Sequence, residues 1–135
     1  MKKPSNINAN CSNLNFAEFE MADLKGASFK KASLVGASFM DSSLQGANFK
    51  YANCHDASFW NANLSDADFT GVDLRDADFR DCILTNVNFD QADLTGADFT
   101  GAVIDNTNFI NSNITSDQLA TVIFSSQWGQ VHAPA

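Results

Sequence analysis

Few side chains in this 135-residue sequence are equipped for chemistry. There are two histidines, His55 and His132, and three cysteines, Cys11, Cys54 and Cys82. Cys54 and His55 are adjacent, and a Cys–His pair is one way to activate a thiol nucleophile. An odd number of cysteines without metal-like spacing points instead to reduced thiols. Aspartate is abundant, but no stretch has the loop geometry of a calcium site, and no glycine-rich run cradles a phosphate. Two further groups could make contacts. Met40, Trp60 and Arg80 recur at intervals of twenty, and Asp68, Asp73, Asp78, Asp93 and Asp98 form an acidic set.

The element that carries these side chains is legible from spacing. From Leu14 to Ile114 every fifth residue is apolar: ten are Phe, eight are Leu, and the others are Cys54, Ile104 and Ile114. Two residues before each sits a small residue, mostly Ala, and the residue between is mostly Asp, Asn or Ser. Six of the seven glycines fall two residues after an apolar centre. A period of five smears apolar residues round a helix, and alternation over three residues is too brief for a long strand. The pattern fits a short extended segment with two inward side chains, followed by a corner that glycine favours.

The segments Ala22-Asp23-Leu24, Ala62-Asn63-Leu64, Ala67-Asp68-Phe69, Ala92-Asp93-Leu94 and Ala97-Asp98-Phe99 carry a clear resemblance. The chain resembles the pentapeptide-repeat family, A-(D/N)-L-x-x, over residues 12–116. The resemblance implies an all-β fold, a right-handed quadrilateral parallel β-helix of about five coils at ~4.8 Å each, with a short C-terminal α-helix. Alternation of Leu and Phe supports an even number of sides, because it stacks like on like. With twenty residues per coil, Phe19, Phe39, Phe59, Phe79 and Phe99 form one internal column, and Phe29, Phe49, Phe69, Phe89 and Phe109 the opposite one.

That frame assigns the chemistry. Cys54 and Cys82 point inward and act as small hydrophobes. His55 points outward, away from Cys54, so the pair is geometrically excluded. No catalytic, cofactor-binding or metal-binding residue is expected, and the chain reads as a non-enzyme. Met40, Trp60 and Arg80 share one outer column, with Arg80 placed to pack over the indole; they form either a partner contact or a ladder that stabilises stacked coils. Asp73 lies under Asp93, and Asp78 under Asp98. Like charges directly opposed destabilise, so the expectation is a raised pKa in each pair and stability gained on mild acidification.

The ends are read separately. Residues 1–11 are expected to form an irregular first turn, 117–126 a capping or dimerising helix, and 127–135 a flexible tail. Thr115 and Gln118 have the spacing of a capping box. Ile83, Val103 and Ile110 break the outward polar rule. With Leu119, Val122, Ile123 and Phe124 they are either covered by the helix folding back or form a homodimer interface through the C-terminal segment.

Charge bounds the partners. The net charge is −8, which argues against direct nucleic-acid binding. It is unevenly spread: six Lys against four acids in residues 1–50, and two Arg against twelve Asp in 51–135. No run approaches a membrane span, and Met-Lys-Lys-Pro is followed by polar residues rather than an apolar stretch, so the chain reads as cytoplasmic. The leading function is a rigid protein-binding or scaffold module. The alternative is implied by the resemblance. Some family members look like B-form DNA and bind DNA gyrase or topoisomerase IV, giving quinolone protection. Residues 51–115 carry eleven Asp and two Arg, close to the roughly 9 charges that duplex DNA shows over ~16 Å. The lysine-bearing half does not match, and no long loop interrupts the repeat as it does in many quinolone-resistance members.

Overall fold

A computed structural model describes residues 7–125 and the backbone of residues 131–132. One pentad shows how the chain is built. The Asp73 N–H donates to Ala52 O on the preceding coil (3.2 Å), and the Leu74 N–H to Asp93 O on the next (2.9 Å). The Asp76 N–H donates to Thr95 O (2.9 Å), and the Ala77 N–H closes the turn onto Leu74 O (3.1 Å). Only the Arg75 N–H lacks a backbone acceptor, and the Asp73 Oδ1 takes it (3.2 Å). Every backbone donor of the unit is thereby satisfied.

Repetition produces four ladders of parallel single-residue bridges, each joining residue i to i + 20. They run through residues 8 to 108, 13 to 93, 18 to 98, and 23 to 103. The corners share one conformation. Among the described residues, fifteen non-glycine and six glycine residues have positive φ, and all stand two after a centre of the five-residue frame, counting Ala9 as the first. Left-handed backbone costs a non-glycine residue about 1–2 kcal/mol, least for Asn and Asp, and nine of the fifteen are Asn or Asp. Corner freedom is therefore general, not confined to glycine. Glycine at residues 36 and 71 also makes room: a Cβ there would sit 2.6 Å from the Phe16 ring and 2.7 Å from the Tyr51 ring, so either ring would have to move.

The interior is filled. Rings in the Phe19 column stack at centroid spacings of 5.0–5.1 Å, and those in the Phe29 column at 4.7–5.3 Å. The two columns meet edge to face at 5.4–6.1 Å across the axis, a favourable arrangement for ring quadrupoles. Cys54 and Cys82 are buried in this core.

Both ends differ from expectation. At the N-terminus, Ile7-Asn8-Ala9 is already in frame: Asn8 bridges Ser28, and the Ala9 N–H donates to Ser28 O (2.7 Å). The regular coil therefore begins before residue 12. At the C-terminus, Thr115 and Gln118 do form a capping box, but helix α1 covers only Ser116–Leu119. The chain then returns to the coil. Strand β1 (Val103–Ile104) pairs in parallel with β3 (Ile123–Phe124), and β2 (Thr107–Asn108) with β4 (Val131–His132). The β-branched run Val122-Ile123 favours extended backbone over a second helical turn. The Ile123 N–H finds Ala102 O at 2.8 Å. Apart from 131 and 132, the segment expected as a tail lies outside the described residues.

Candidate interaction surface

The four ladders define four faces, and the acidic set divides among them. Asp73 and Asp93 are bridge partners on one face, and Asp78 and Asp98 on the adjoining one. Asp68 stands on a different face from both pairs, in a column with Asn48, Asn88 and Asn108, and it pairs with Lys50 (3.5 Å). It does not belong with the other four.

The stacked aspartates are not left in mutual repulsion. Arg75 forks onto Asp73 through Nε (2.9 Å) and Nη2 (2.8 Å). Arg80 forks onto Asp78 in the same way (3.0 and 2.8 Å). The hydroxyls of Thr95 and Thr100 donate to Asp93 and Asp98, each at 2.7 Å, and Asn113 adds an amide to Asp93 (2.8 Å). The Arg75 hydrogen bond holds the Asp73 carboxyl below its ordinary value. Asp93 is lowered first by Thr95 and then by Asn113, and Asp98 by Thr100. The expectation of a raised carboxyl is thus overturned for the Asp73/Asp93 pair, where both are lowered, and Asp98 is lowered as well. Repulsion across a coil spacing loses to hydrogen bonds that favour the ionised form.

Met40 and Trp60 are brought together as their shared column requires. With Ser58, Asp78 and Arg80 they line an open groove of about 290 Å³. Both are half-buried. The Arg80 guanidinium is committed to the Asp78 carboxylate at the rim, rather than to the indole face.

The apolar residues at the C-terminal end form a column, not a covered patch. Ile83 bridges Val103, which pairs with Ile123. Ile83 is 40% and Ile123 54% exposed, so α1 does not fold back over them. The helix is too short and sits elsewhere: the Gln118 Nε2 donates to Leu94 O (2.8 Å) and Ala97 O (3.0 Å), closing a different corner. Leu119 and Val122 pack against the core end, and Phe124 continues the Leu84–Ile104 column, 49% exposed. Ile110 is separate, facing a groove lined by Asn86, Asn88, Asn106 and Asn108.

One grouping went unnoticed in the sequence. The His55 Nε2 lies 3.2 Å from the Asp56 Oδ2 and 3.5 Å from the Asp76 Oδ2. Its signal is a spacing of i, i + 1, i + 21, meaningful only once twenty residues are known to make one coil.

Comparison with known proteins agrees with the geometry. Residues 12–82 match the description of a pentapeptide repeat region, and residues 82–116 that of pentapeptide repeats in eight copies. The chain belongs to the pentapeptide-repeat family. No curated protein matches it. Among solved structures, a pentapeptide repeat protein from the Arabidopsis thaliana thylakoid lumen is 27% identical, with a TM-score of 0.52, over 92% of this chain and 86% of that one. QnrB1, a plasmid-mediated fluoroquinolone resistance protein, is 22% identical with a TM-score of 0.50, over 92% and 67%. HetL, from the cyanobacterium Nostoc sp. strain PCC 7120 and involved in heterocyst differentiation regulation, is 29% identical with a TM-score of 0.41, over 72% and 51%.

Within the pentapeptide repeat, the (D/N) position now has a structural cause. Its side-chain oxygen caps the N–H two residues on, as Asn53 does for His55 (3.1 Å) and Asp98 for Thr100 (3.0 Å). Asn and Asp serve this purpose equally, so the cap accounts for the oxygen and not for the charge. No helix among the described residues is long and apolar enough to cross a membrane.

Proposed function

We propose that this pentapeptide-repeat protein is a non-enzymatic binding module that docks another protein on the face bearing Met40 and Trp60. The groove between them carries the reading. An indole and a thioether form an apolar floor, and the Asp78–Arg80 pair supplies a charged rim. Trp, Met and Arg are the residue types enriched at the centres of protein interfaces. A core packed solid with phenylalanine offers no lumen for a small ligand, which leaves the outer faces as the working surface. We further propose a cytoplasmic location and a dimer joined through the column Ile83, Val103 and Ile123, which is supported by the exposure of Ile83 and Ile123.

The acidic ridge supports a second reading, DNA mimicry toward DNA gyrase or topoisomerase IV, because Asp73/Asp93 and Asp78/Asp98 repeat at coil spacing. Two of those four carboxylates are neutralised by Arg75 and Arg80, which weakens a phosphate-like array. The likeness to QnrB1 extends to the fold alone.

The test is capture from native lysate with wild-type and Trp60→Ala baits, washed at low and high salt. A protein retained by wild type in high salt and lost with Trp60→Ala supports the groove. Capture of a topoisomerase that survives Trp60→Ala and disappears in high salt, where surface charge is screened, supports mimicry instead.

A further inference from the structure

We propose that His55, Asp56 and Asp76 form a binding site for a divalent transition metal of the zinc type, joining two successive coils. The argument begins with donor spacing. Zinc binds imidazole nitrogen and carboxylate oxygen at about 2.0–2.2 Å, so the donors of a tetrahedral site lie about 3.3–3.5 Å apart. The His55 Nε2 is 3.2 Å from the Asp56 Oδ2 and 3.5 Å from the Asp76 Oδ2. All three donor atoms lie within 4.8 Å of one another. Mixed nitrogen and oxygen donors without thiolate suit zinc, nickel or cobalt better than magnesium or calcium. Asp56 and Asp76 are exposed and His55 is half-buried, so water can supply a fourth donor.

The surroundings set this place apart from other corners. Asp56 and Asp76 occupy successive corners of one column, with φ of 60° and 59°. In two other columns a corner aspartate is met from the next coil by an asparagine amide: Asn61 Nδ2 donates to Asp41 (2.8 Å), and Asn86 Nδ2 to Asp66 (3.1 Å). At 56 and 76 carboxylate follows carboxylate, and the group between them is an imidazole. Arg75 could supply the missing cation, but its fork is taken by Asp73. Asp76 is also oriented. Its Oδ1 fills the space over Gly96 that a Cβ would need, which leaves Oδ2 directed at His55. The backbone on both coils is pinned, with the Asp56 N–H on Arg75 O (3.0 Å) and the Asp76 N–H on Thr95 O (2.9 Å). The carboxylates are thus held at separation before any ion arrives.

The test is calorimetric titration of the chelator-stripped full chain with zinc sulfate at neutral pH. One equivalent should bind, with affinity weakened at least about tenfold in His55→Ala and in Asp76→Asn, since loss of a group that only supports a metal ligand already costs about 10–100-fold. His132→Ala should bind as wild type. Cobalt in place of zinc should give the intense visible absorption of a four-coordinate centre, lost in His55→Ala. Circular dichroism checks that each surface variant is folded. Absence of saturable binding, binding unchanged in His55→Ala, or binding lost in His132→Ala alone would overturn the proposal.

Discussion

Replacing Phe69 by alanine tests the packing of the whole rod. The ring is fully buried. It stacks on Phe49 (4.7 Å) and Phe89 (5.3 Å), and meets Phe59 (5.4 Å) and Phe79 (5.8 Å) edge to face. Truncating a buried Phe to Ala costs about 3–5 kcal/mol in transfer and cavity terms together. Aromatic pairs add roughly 0.5–1.5 kcal/mol each beyond area. Bridges above and below hold the backbone, so the cavity cannot collapse, and the cost belongs at about 4–5 kcal/mol. Phe19 is the internal control. It belongs to the other column, is only partly buried, and has two ring neighbours, Phe29 and Phe39. Phe19→Ala should cost about 1–3 kcal/mol less, since less contact and less burial are lost. Both are measured by equilibrium urea unfolding with the m-value checked for two-state behaviour. Equal costs at the two sites, or a cost under about 1 kcal/mol at Phe69, would refute the column argument.

Acid should destabilise. Asp73, Asp93 and Asp98 have folded values below the ordinary 3.8, so their contribution is complete above that value and is lost as pH falls through the folded values. Urea midpoints should hold between pH 7 and 5 and fall below about pH 4; a rise on mild acidification would restore the repulsion picture. Thiol labelling should separate the cysteines: Cys11 is exposed and should react quickly, while burial pushes the Cys54 and Cys82 thiols far up and should leave both inert until unfolding. Rapid native labelling of all three contradicts the frame. Sedimentation should report two chains, and Ile83→Lys with Ile123→Lys should yield one; a wild-type monomer at high concentration removes the dimer reading.

The frame is legible in the order of residues. A period of five with alternating Leu and Phe specifies which residues face inward, and from that the Phe columns, the buried Cys54 and Cys82, and the outer neighbours Met40, Trp60 and Arg80 all follow. This works because a repeat makes the tertiary contact a fixed sequence offset: residue i meets i + 20 whatever the side chains do. Where side chains depart from that offset depends on three-dimensional packing. The sequence showed Asp73 over Asp93, but only the structure showed Arg75 reaching back to neutralise the lower one. It showed a helix start at Thr115, but the length of α1 depended on Ile123 finding a backbone partner in Ala102. It showed Asp68 among the acids, while the turn of the coil set that residue on another face beside Lys50. Long polar side chains choose among partners by three-dimensional reach, and capping residues by whichever backbone groups remain unpaired. Neither choice is written in a spacing.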